Sequence, residues 1–361
     1  MNPVGLSRFI ISLGSIVASL GAQAYPGESI ALNPVTGNYI ITYWNPEMDP
    51  PGLETTTFVP ATKIVPAISS RFTTNRTGNI VYRYSVTNGV QSKQVLVHII
   101  LDPVESVYGA RDVSTMRIAT TAEYAARILA VKANKAALST PVGWSGSVAF
   151  GAGDRTDSGV RVGWRASVEQ STGLKPGSTM GEFEFSSAAL PGIIAAEMSG
   201  DSPVMMWSGE GPPEDSAITQ QLSEIEAHDY VTRNAAVPTI AVPVPFDAAV
   251  LLDRIRNHVA TWPGKQLLDP TYATQLDRYL AAAVDAYRLN NSKAGEEQIE
   301  TIRKMLAKEH YGIDRDDAAE HKIATRLTID RLAARVLDFD LRYVLKRMEH
   351  GHEENDKRKD R

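Results

Sequence analysis

Two adjacent residues, His228 and Asp229, have the side chains needed for acid–base chemistry. A histidine oriented by a carboxylate acts as a general base when a nucleophile or a water molecule lies within reach. A hydrolytic site of this kind would have to join His228 to an acid from a distant segment, such as Asp154 or Glu210. Since the sequence places no serine nucleophile beside the pair, we assign no catalytic residue, and a helix cap or a surface pair is the alternative.

Tryptophans next to glycines indicate a surface on which a ligand can stack. Trp207 and Glu210 lie in the segment MMWSGEGPP, residues 205–213, and Trp144 follows Gly143. An aromatic ring in an exposed loop offers a large apolar face to a sugar or to another side chain. We therefore predict that Trp207, Glu210 and Trp144 bind a ligand, the alternative being that they pack inside the protein.

The spacing of histidines and carboxylates does not predict a metal site. His350 and His352 lie beside two glutamates in a polar segment without the fixed geometry that a metal site needs. Asp154 and Asp157 lie in a glycine-rich loop with too few oxygen donors for calcium, so a hairpin turn is the preferred interpretation. The sequence predicts neither a metal nor any other cofactor.

One pair of carboxylates lies on a predicted helix near the C-terminus. Asp338 and Asp340 are two positions apart, so their side chains diverge by about 200° around the helix and do not share a proton. Arg335, Arg342 and Arg347 are better placed as ion-pair partners on the same helix. The chain also lacks the GxSxG, HExxH, phosphate-loop and GxGxxG motifs, which argues against the common enzyme classes.

The first 24 residues have the order of a secretory signal peptide. Arg8 precedes an uncharged run from Phe9 to Ala22, and the small residues Ala22 and Ala24 favour cleavage after Ala24. The run is shorter than the roughly 20 apolar residues that span a membrane. We therefore expect an exported protein whose mature chain begins at Tyr25 and has no membrane-spanning helix. A buried helix of a cytosolic protein and an uncleaved anchor are the alternatives.

Charge and cysteine content exclude several classes of function. The formal net charge is −5, whereas nucleic-acid binding requires a basic surface. The chain has no cysteine, which excludes thiol nucleophiles, thiolate zinc sites and iron–sulfur clusters. An exported protein without disulfides must be stabilised by its core, and we expect a bacterial protein of the periplasm, the cell surface or the extracellular medium.

Composition and periodicity predict a multidomain α+β fold. Alternating apolar residues predict one antiparallel β-sandwich, Ig-like in a loose sense, at residues 25–105 and a second at 141–246. A helical connector is predicted between them at 106–140. An antiparallel helical bundle follows the second sandwich.

Local patterns predict individual strands and one hairpin. Residues 79–86 and 93–101 alternate, and Asn88 and Gly89 between them are typical of a tight hairpin turn. We therefore predict that these two strands pair with each other.

Two further segments are predicted as strands of different kinds. Residues 160–170 alternate regularly, which places Trp164 and its alternate neighbours in the core. Residues 237–246 are extended but contain several prolines, which favours an edge strand or a linker.

The last third of the chain is predicted to be helical from 247 to 348. Apolar residues recur at intervals of three and four, Asn290 and Asn291 interrupt the pattern, and Ser292 begins the next helix. Short connections between helices favour an antiparallel bundle. Residues 349–361 lack an apolar face and are predicted to form a disordered, charged tail.

These observations predict an exported bacterial protein of the envelope or the extracellular space that binds a partner or has a structural role without being an enzyme. The expected partner is a protein or a glycan, and nucleic acid is not expected. A secreted or periplasmic hydrolase acting on glycans is one alternative. A subunit of a surface filament or larger assembly is the other.

Overall fold

The computed structural model describes residues 25–105, 137–150, 159–167, 172–201, 217–309 and 328–359. The chain divides into two compact units, one formed by residues up to 60 together with 202–229 and the other by residues 61–201 together with 230–361. We call them the small unit and the large unit.

The small unit is an antiparallel sheet with a helix on one face. Its strands β1 (Ser29–Leu32), β2 (Tyr39–Asn45) and β3 (Gly52–Phe58) follow one another in the sheet, and α1 is Ala217–Glu226. Because strand side chains alternate between faces, one face supplies the apolar residues that pack against the helix. The core of this unit consists of Ile41, Tyr43, Phe58, Ile218 and Leu222.

The described part of the large unit contains nine strands in two antiparallel sheets. The strands are β4 (Pro66–Thr74), β5 (Ile80–Asn88), β6 (Leu96–Glu105), β7 (Leu138–Ser139), β8 (Trp144–Phe150), β9 (Gly159–Ala166), β10 (Thr179–Ser187), β11 (Leu190–Gly200) and β12 (Val231–Ile240). One sheet has the order β4-β5-β10-β7, and the other has the order β12-β11-β6-β9-β8.

Aromatic side chains join the two sheets of the large unit. Trp164 on β9 lies 5.7 Å from Phe183 on β10 and 5.8 Å from Tyr84 on β5, measured between ring centroids. Trp144 on β8 meets Phe183 edge to face at 5.0 Å. Such tilted and edge-on pairs are the favoured arrangements of buried rings, so the sheets share an aromatic interior.

Helices of the large unit share this core with the sheets. They are α2 (Ala248–Val259), α3 (Pro270–Arg288), α4 (Ser292–Glu309) and α5 (Arg331–Lys359), with a 3₁₀ turn at Pro263–Lys265. Asp247 caps α2 by accepting the Val250 N–H at 3.0 Å, and Asp269 caps α3 in the same way. One apolar cluster includes side chains from all four helices and from both sheets.

Several sequence predictions are confirmed. The protein is a mixed α+β protein with antiparallel sheets and C-terminal helices. Trp164 is fully buried on β9, and residues 237–240 of the predicted edge segment 237–246 form the end of β12, which lies at the edge of its sheet among the described strands. The helix break is also confirmed, because α3 ends at Arg288 and α4 begins at Ser292.

The predicted hairpin is wrong. β5 and β6 both exist, but they lie in different sheets. Asn88 does not form a tight turn: its buried side chain donates to the Gln94 and Leu174 carbonyl oxygens at 2.9 and 2.8 Å. The amide N–H of Gly89 donates to the Val65 carbonyl oxygen at 2.9 Å. These contacts hold the chain as it crosses from one sheet to the other.

Strands from the two predicted sandwich regions pair with each other. β5 pairs with β10, and β6 lies between β9 and β11. Residues 25–60 belong to a separate unit, and helices α2 to α5 belong to the same unit as the two larger sheets. The compact units therefore divide the chain differently from the predicted domains.

The C-terminal helix also differs from the prediction. The backbone of α5 continues to Lys359, into the segment predicted as a disordered tail. Glutamate, lysine and arginine are good helix formers, so the lack of apolar residues did not prevent helix formation. The predicted leader at 1–24 and residues 106–136 of the predicted connector lie outside the described residues.

Candidate functional site

The sheet of the small unit presents accessible side chains on the face opposite α1. Along β2, Ile41 and Tyr43 point towards the helix, so Ile40, Thr42 and Trp44 point the other way. Ile40 is 38% exposed, although it is a large apolar residue on a strand. A single such residue is ordinary on a protein surface, but here it has aromatic and apolar neighbours.

The central feature of this face is a stacked pair of aromatic rings. Tyr25 lies on Trp44 with ring centroids 5.5 Å apart and an angle of 17° between the ring planes. Tyr25 is 53% exposed, and Trp44 is partly buried beneath it. The outer side of the tyrosine ring is therefore accessible.

Glu28 and Gly27 hold the segment before β1 in this position. One carboxylate oxygen of Glu28 accepts the Tyr25 N–H at 2.8 Å, and the other accepts the Trp44 N–H at 2.9 Å. Gly27 has a φ of 95°, and a Cβ there would lie 2.7 Å from the Leu53 side chain. Glycine is favoured at this position because its backbone conformation is one that residues with a side chain rarely adopt.

Hydroxyl groups lie beside the aromatic pair. Thr42 on β2 and Thr55 on β3 are opposite each other, and their hydroxyl oxygens are 3.1 Å apart. Leu53 pairs with Trp44 in the register and is 44% exposed. We call the surface formed by Tyr25, Ile40, Thr42, Trp44, Leu53 and Thr55 the outer face.

A polar cluster on the opposite side of the same strands stabilises their ends. Glu54 accepts a hydrogen bond from the Asn45 amide at 2.6 Å. Burial, together with the hydrogen bond and the charge of Glu54, raises the pKa of Tyr43 to about 12. The Tyr43 phenol therefore stays protonated and acts as a donor near neutral pH, which is a structural role.

The outer face combines an aromatic plane, aliphatic side chains and hydroxyl groups. This combination suits a ligand with apolar C–H groups and hydroxyls, because rings accept the C–H face while hydroxyls donate and accept hydrogen bonds. It has no acid and base arranged to transfer a proton. The surface is suited to binding.

The structure contradicts the expectation that Trp144 is exposed. Gly143, with a φ of 81°, forms the turn before β8, and Trp144 begins the strand. The Trp144 side chain is 7% exposed and packs against Phe183. The neighbouring glycine correctly indicated a turn, but the register with β9 directs the indole inwards.

The other predicted ligand-binding residues, Trp207 and Glu210, lie outside the described residues. Asp154 lies outside them as well, so the joining of His228 to Asp154 or Glu210 remains only what the hydrolase alternative would require. His228 is exposed in the turn after α1, and Asp229 beside it is partly buried.

Asp338 and Asp340 have different environments, as their spacing predicts. Asp338 accepts from Arg303 at 3.0 Å and forms an ion pair with Arg342 at 2.8 Å. Asp340 is 1% exposed, its Oδ1 has no hydrogen-bond partner, and burial raises its pKa well above the ordinary value. The pair cannot act as two carboxylates that share a proton.

Sequence reasoning did not single out the stacked pair of Tyr25 and Trp44. The two residues are 19 positions apart and meet only because Glu28 and Gly27 direct the chain back over β2. The alternation of β2, with Tyr43 inwards, is the signal that places Trp44 on the outer side.

The described residues contain neither a candidate metal site nor a candidate membrane-spanning helix. Nowhere in this part of the chain do three or more histidines and carboxylates lie close enough to hold a metal ion. The side chains of His350 and His352 are not described. Among the described helices, none is both long and apolar enough to cross a membrane.

Comparison with known proteins identifies no relative of this chain. No protein-family model, no curated protein and no solved structure matches it.

Proposed function

We propose that this chain is an exported bacterial protein of the envelope or the extracellular space that binds a glycan through the outer face. The exposed Tyr25 ring stacked on Trp44 is the observation that supports binding. The threonine hydroxyls beside the rings favour a glycan over a protein partner, because they match the hydroxyl groups of a sugar.

The N-terminal sequence supports export. Cleavage after Ala24 would make Tyr25 the first residue, and its nitrogen lies 2.8 Å from a carboxylate oxygen of Glu28. The new ammonium group would then form an ion pair where an amide N–H now donates. Processing would therefore retain the contact that holds the aromatic pair.

Binding is tested by titrating the mature protein, residues 25–361, with soluble peptidoglycan fragments and neutral oligosaccharides in a calorimeter. We expect Tyr25→Ala to weaken binding roughly tenfold, since aromatic contacts contribute about 0.5–1.5 kcal/mol beyond the burial of the ring. Tyr25→Phe keeps the ring and removes only the phenol hydroxyl, so it should retain most of the affinity. Equal affinity of wild type and Tyr25→Ala would contradict the proposal.

If the mature protein binds none of these glycans but captures a purified envelope protein, the partner of the outer face is a protein and not a glycan. Export is tested separately by mass spectrometry of the N-terminus in cell fractions. A chain that begins at Tyr25 in an exported fraction supports it. An intact N-terminus recovered from the cytosol argues against it.

Assembly into a filament is a second candidate because, among the described residues, no further strand pairs with the outer strands of the small sheet. β1 and β3 are its outer strands, and Leu32 at the end of β1 is 57% exposed. Unpaired strand edges can be extended by another chain. Light scattering at rising concentration tests this candidate, and a constant monomeric mass would contradict it.

We also propose the finer description of the fold, namely an Ig-like sandwich and an antiparallel helical bundle in the large unit. Two antiparallel sheets with an aromatic interior support the first part. Short connections support the antiparallel helical bundle, since only three residues separate α4 from α3.

A further inference from the structure

One edge of β11 is bound by side chains where a neighbouring strand would normally pair. β11 pairs with β12 from Leu190 to Met198, but it pairs with β6 only from Glu197 to Gly200. Within the described residues, the stretch before Glu197 therefore has no strand on the β6 side. Its backbone groups on that side need other partners.

His258 and Lys265 supply these partners to Ile193. The Nε2 atom of His258, near the end of α2, accepts the Ile193 N–H at 2.8 Å. The Nζ atom of Lys265, in the 3₁₀ turn, donates to the Ile193 carbonyl oxygen at 2.7 Å. Two side chains from consecutive elements thus provide partners for both the backbone N–H and the backbone carbonyl oxygen of one strand residue, Ile193.

The surroundings fix the position of the imidazole. Trp262 meets the His258 ring edge to face, with centroids 5.9 Å apart. A Cβ at Gly192 would overlap the hydroxyl of Thr239 and lie 2.7 Å from the imidazole. The absence of a side chain at Gly192 therefore lets the ring reach the strand.

The hydrogen bond to Ile193 requires a particular protonation state of His258. An Nε2 atom that accepts a proton must be unprotonated, so the ring is neutral with its proton on Nδ1. Burial and the nearby Lys265 charge lower the pKa of His258 to about 4. Lys265 is the charged group that acts on this pKa, and the Ile193 backbone and Trp262 indole that also contact the ring carry no charge.

We propose that His258 and Lys265 form an acid-sensitive latch on the free edge of β11, which opens when His258 is protonated. Protonation places an N–H at Nε2 opposite the Ile193 N–H and adds a positive charge beside Lys265. Both changes favour release of the imidazole from the strand. The latch concerns the large unit and is independent of glycan binding by the outer face.

The test follows His258 and the Ile193 amide in the full mature chain between pH 7 and pH 3.5. NMR of the imidazole should give a midpoint of about 4. Exchange of the Ile193 amide, corrected for the intrinsic pH dependence, should accelerate about tenfold across this midpoint, as expected for one lost hydrogen bond. The buried Ala236 amide, which donates to Ser70 Oγ, should keep its protection and so report that the unit stays folded.

Two variants separate the latch from general acid sensitivity. His258→Gln offers an oxygen acceptor that does not titrate, so exchange at Ile193 should no longer depend on pH beyond the intrinsic rate. Lys265→Met removes the neighbouring charge, so the His258 midpoint should move upward. The proposal is overturned if wild-type His258 titrates at its ordinary value, if His258→Gln keeps the acid response, or if Lys265→Met leaves the midpoint unchanged.

Discussion

The two units of the protein use their sheets in different ways. In the large unit, aromatic side chains of two sheets meet in a common interior that the helices also enter. In the small unit, one sheet face packs against α1, and the outer face keeps Tyr25, Ile40 and Leu53 accessible. A sheet with one solvated face can carry a binding surface, whereas a sheet in a shared interior contributes mainly to stability.

The largest expected effect is the removal of an aromatic ring from the interior of the large unit. Trp164 is fully buried, contacts Tyr84 and Phe183, and donates its indole N–H to the Ser139 carbonyl oxygen at 3.0 Å. Trp164→Ala should lower the free energy of unfolding by about 3–5 kcal/mol. Chemical denaturation followed by far-UV circular dichroism measures the change.

Trp44→Ala is the matched control for this prediction. It removes the same side chain from a partly exposed position in the small unit, so the transition of the large unit should stay at the wild-type denaturant concentration. If both variants destabilise the large unit equally, the contrast between a shared interior and a one-sided sheet is incorrect.

The second prediction concerns the small core. Ile41 is fully buried and, among the described residues, belongs to a cluster of five buried apolar side chains. Ile41→Ala should lower the stability of the small unit by about 2–5 kcal/mol, since a small core has few other contacts to compensate for a cavity. Thermal unfolding should then show an early transition for the small unit.

The large unit provides the control within the same experiment. Its transition should coincide with that of the wild type, because the two units are separately compact. A single transition that moves as a whole would show that the units unfold together and would remove the basis for comparing them.

The elements of the large unit were more predictable than their pairing. The break at Asn290 and the start of α4 follow from residues that are adjacent in sequence, so periodicity and capping locate them. β5 pairs with the preceding strand β4, but its other partner, β10, does not follow from such signals. Tyr84 pairs with Phe183 about a hundred positions later, and a local Asn-Gly pattern wrongly suggested β6 instead.

The candidate site depended on the same kind of distant contact. The alternation of β2 gives the direction of Trp44, but the position of Tyr25 depends on two hydrogen bonds to Glu28. Trp144 shows the opposite error, because a local turn signal does not determine which face of β8 its side chain occupies. Sequence reasoning therefore gave individual elements more reliably than sites formed by several of them.

A third prediction compares two aspartates of α5 in the large unit. Asp340 is buried with an unpartnered oxygen, and its folded-state pKa is raised by burial. The folded state therefore binds the proton more tightly than the unfolded state, and stability falls as the pH rises above the ordinary aspartate value of 3.8. Asp340→Asn should raise the free energy of unfolding at pH 7 by about 1–3 kcal/mol and reduce this pH dependence.

Asp338→Asn is the control two positions away, and its effect should have the opposite sign. It weakens the contacts with Arg303 and Arg342, so stability at pH 7 should fall by about 1–2 kcal/mol. Urea denaturation from pH 4 to pH 8 measures both variants. Destabilisation of Asp340→Asn at pH 7 would show that the carboxyl group makes a favourable contact in the ionised state.

The smallest expected effect tests whether the outer face depends on the shape of the segment before β1. Gly27→Ala introduces a Cβ at a φ of 95° and directly against Leu53. A positive φ costs a residue with a side chain about 1–2 kcal/mol, and the overlap should also displace Tyr25 from Trp44.

Gly78→Ala is the matched control: its backbone is similar, with a φ of 85°, but the new Cβ has open space around it. Both variants should lose some stability, whereas only Gly27→Ala should weaken glycan binding and alter the Trp44 fluorescence. If Gly27→Ala binds glycan as tightly as Gly78→Ala does, the stacked pair is not the feature that makes the one-sided sheet a binding surface.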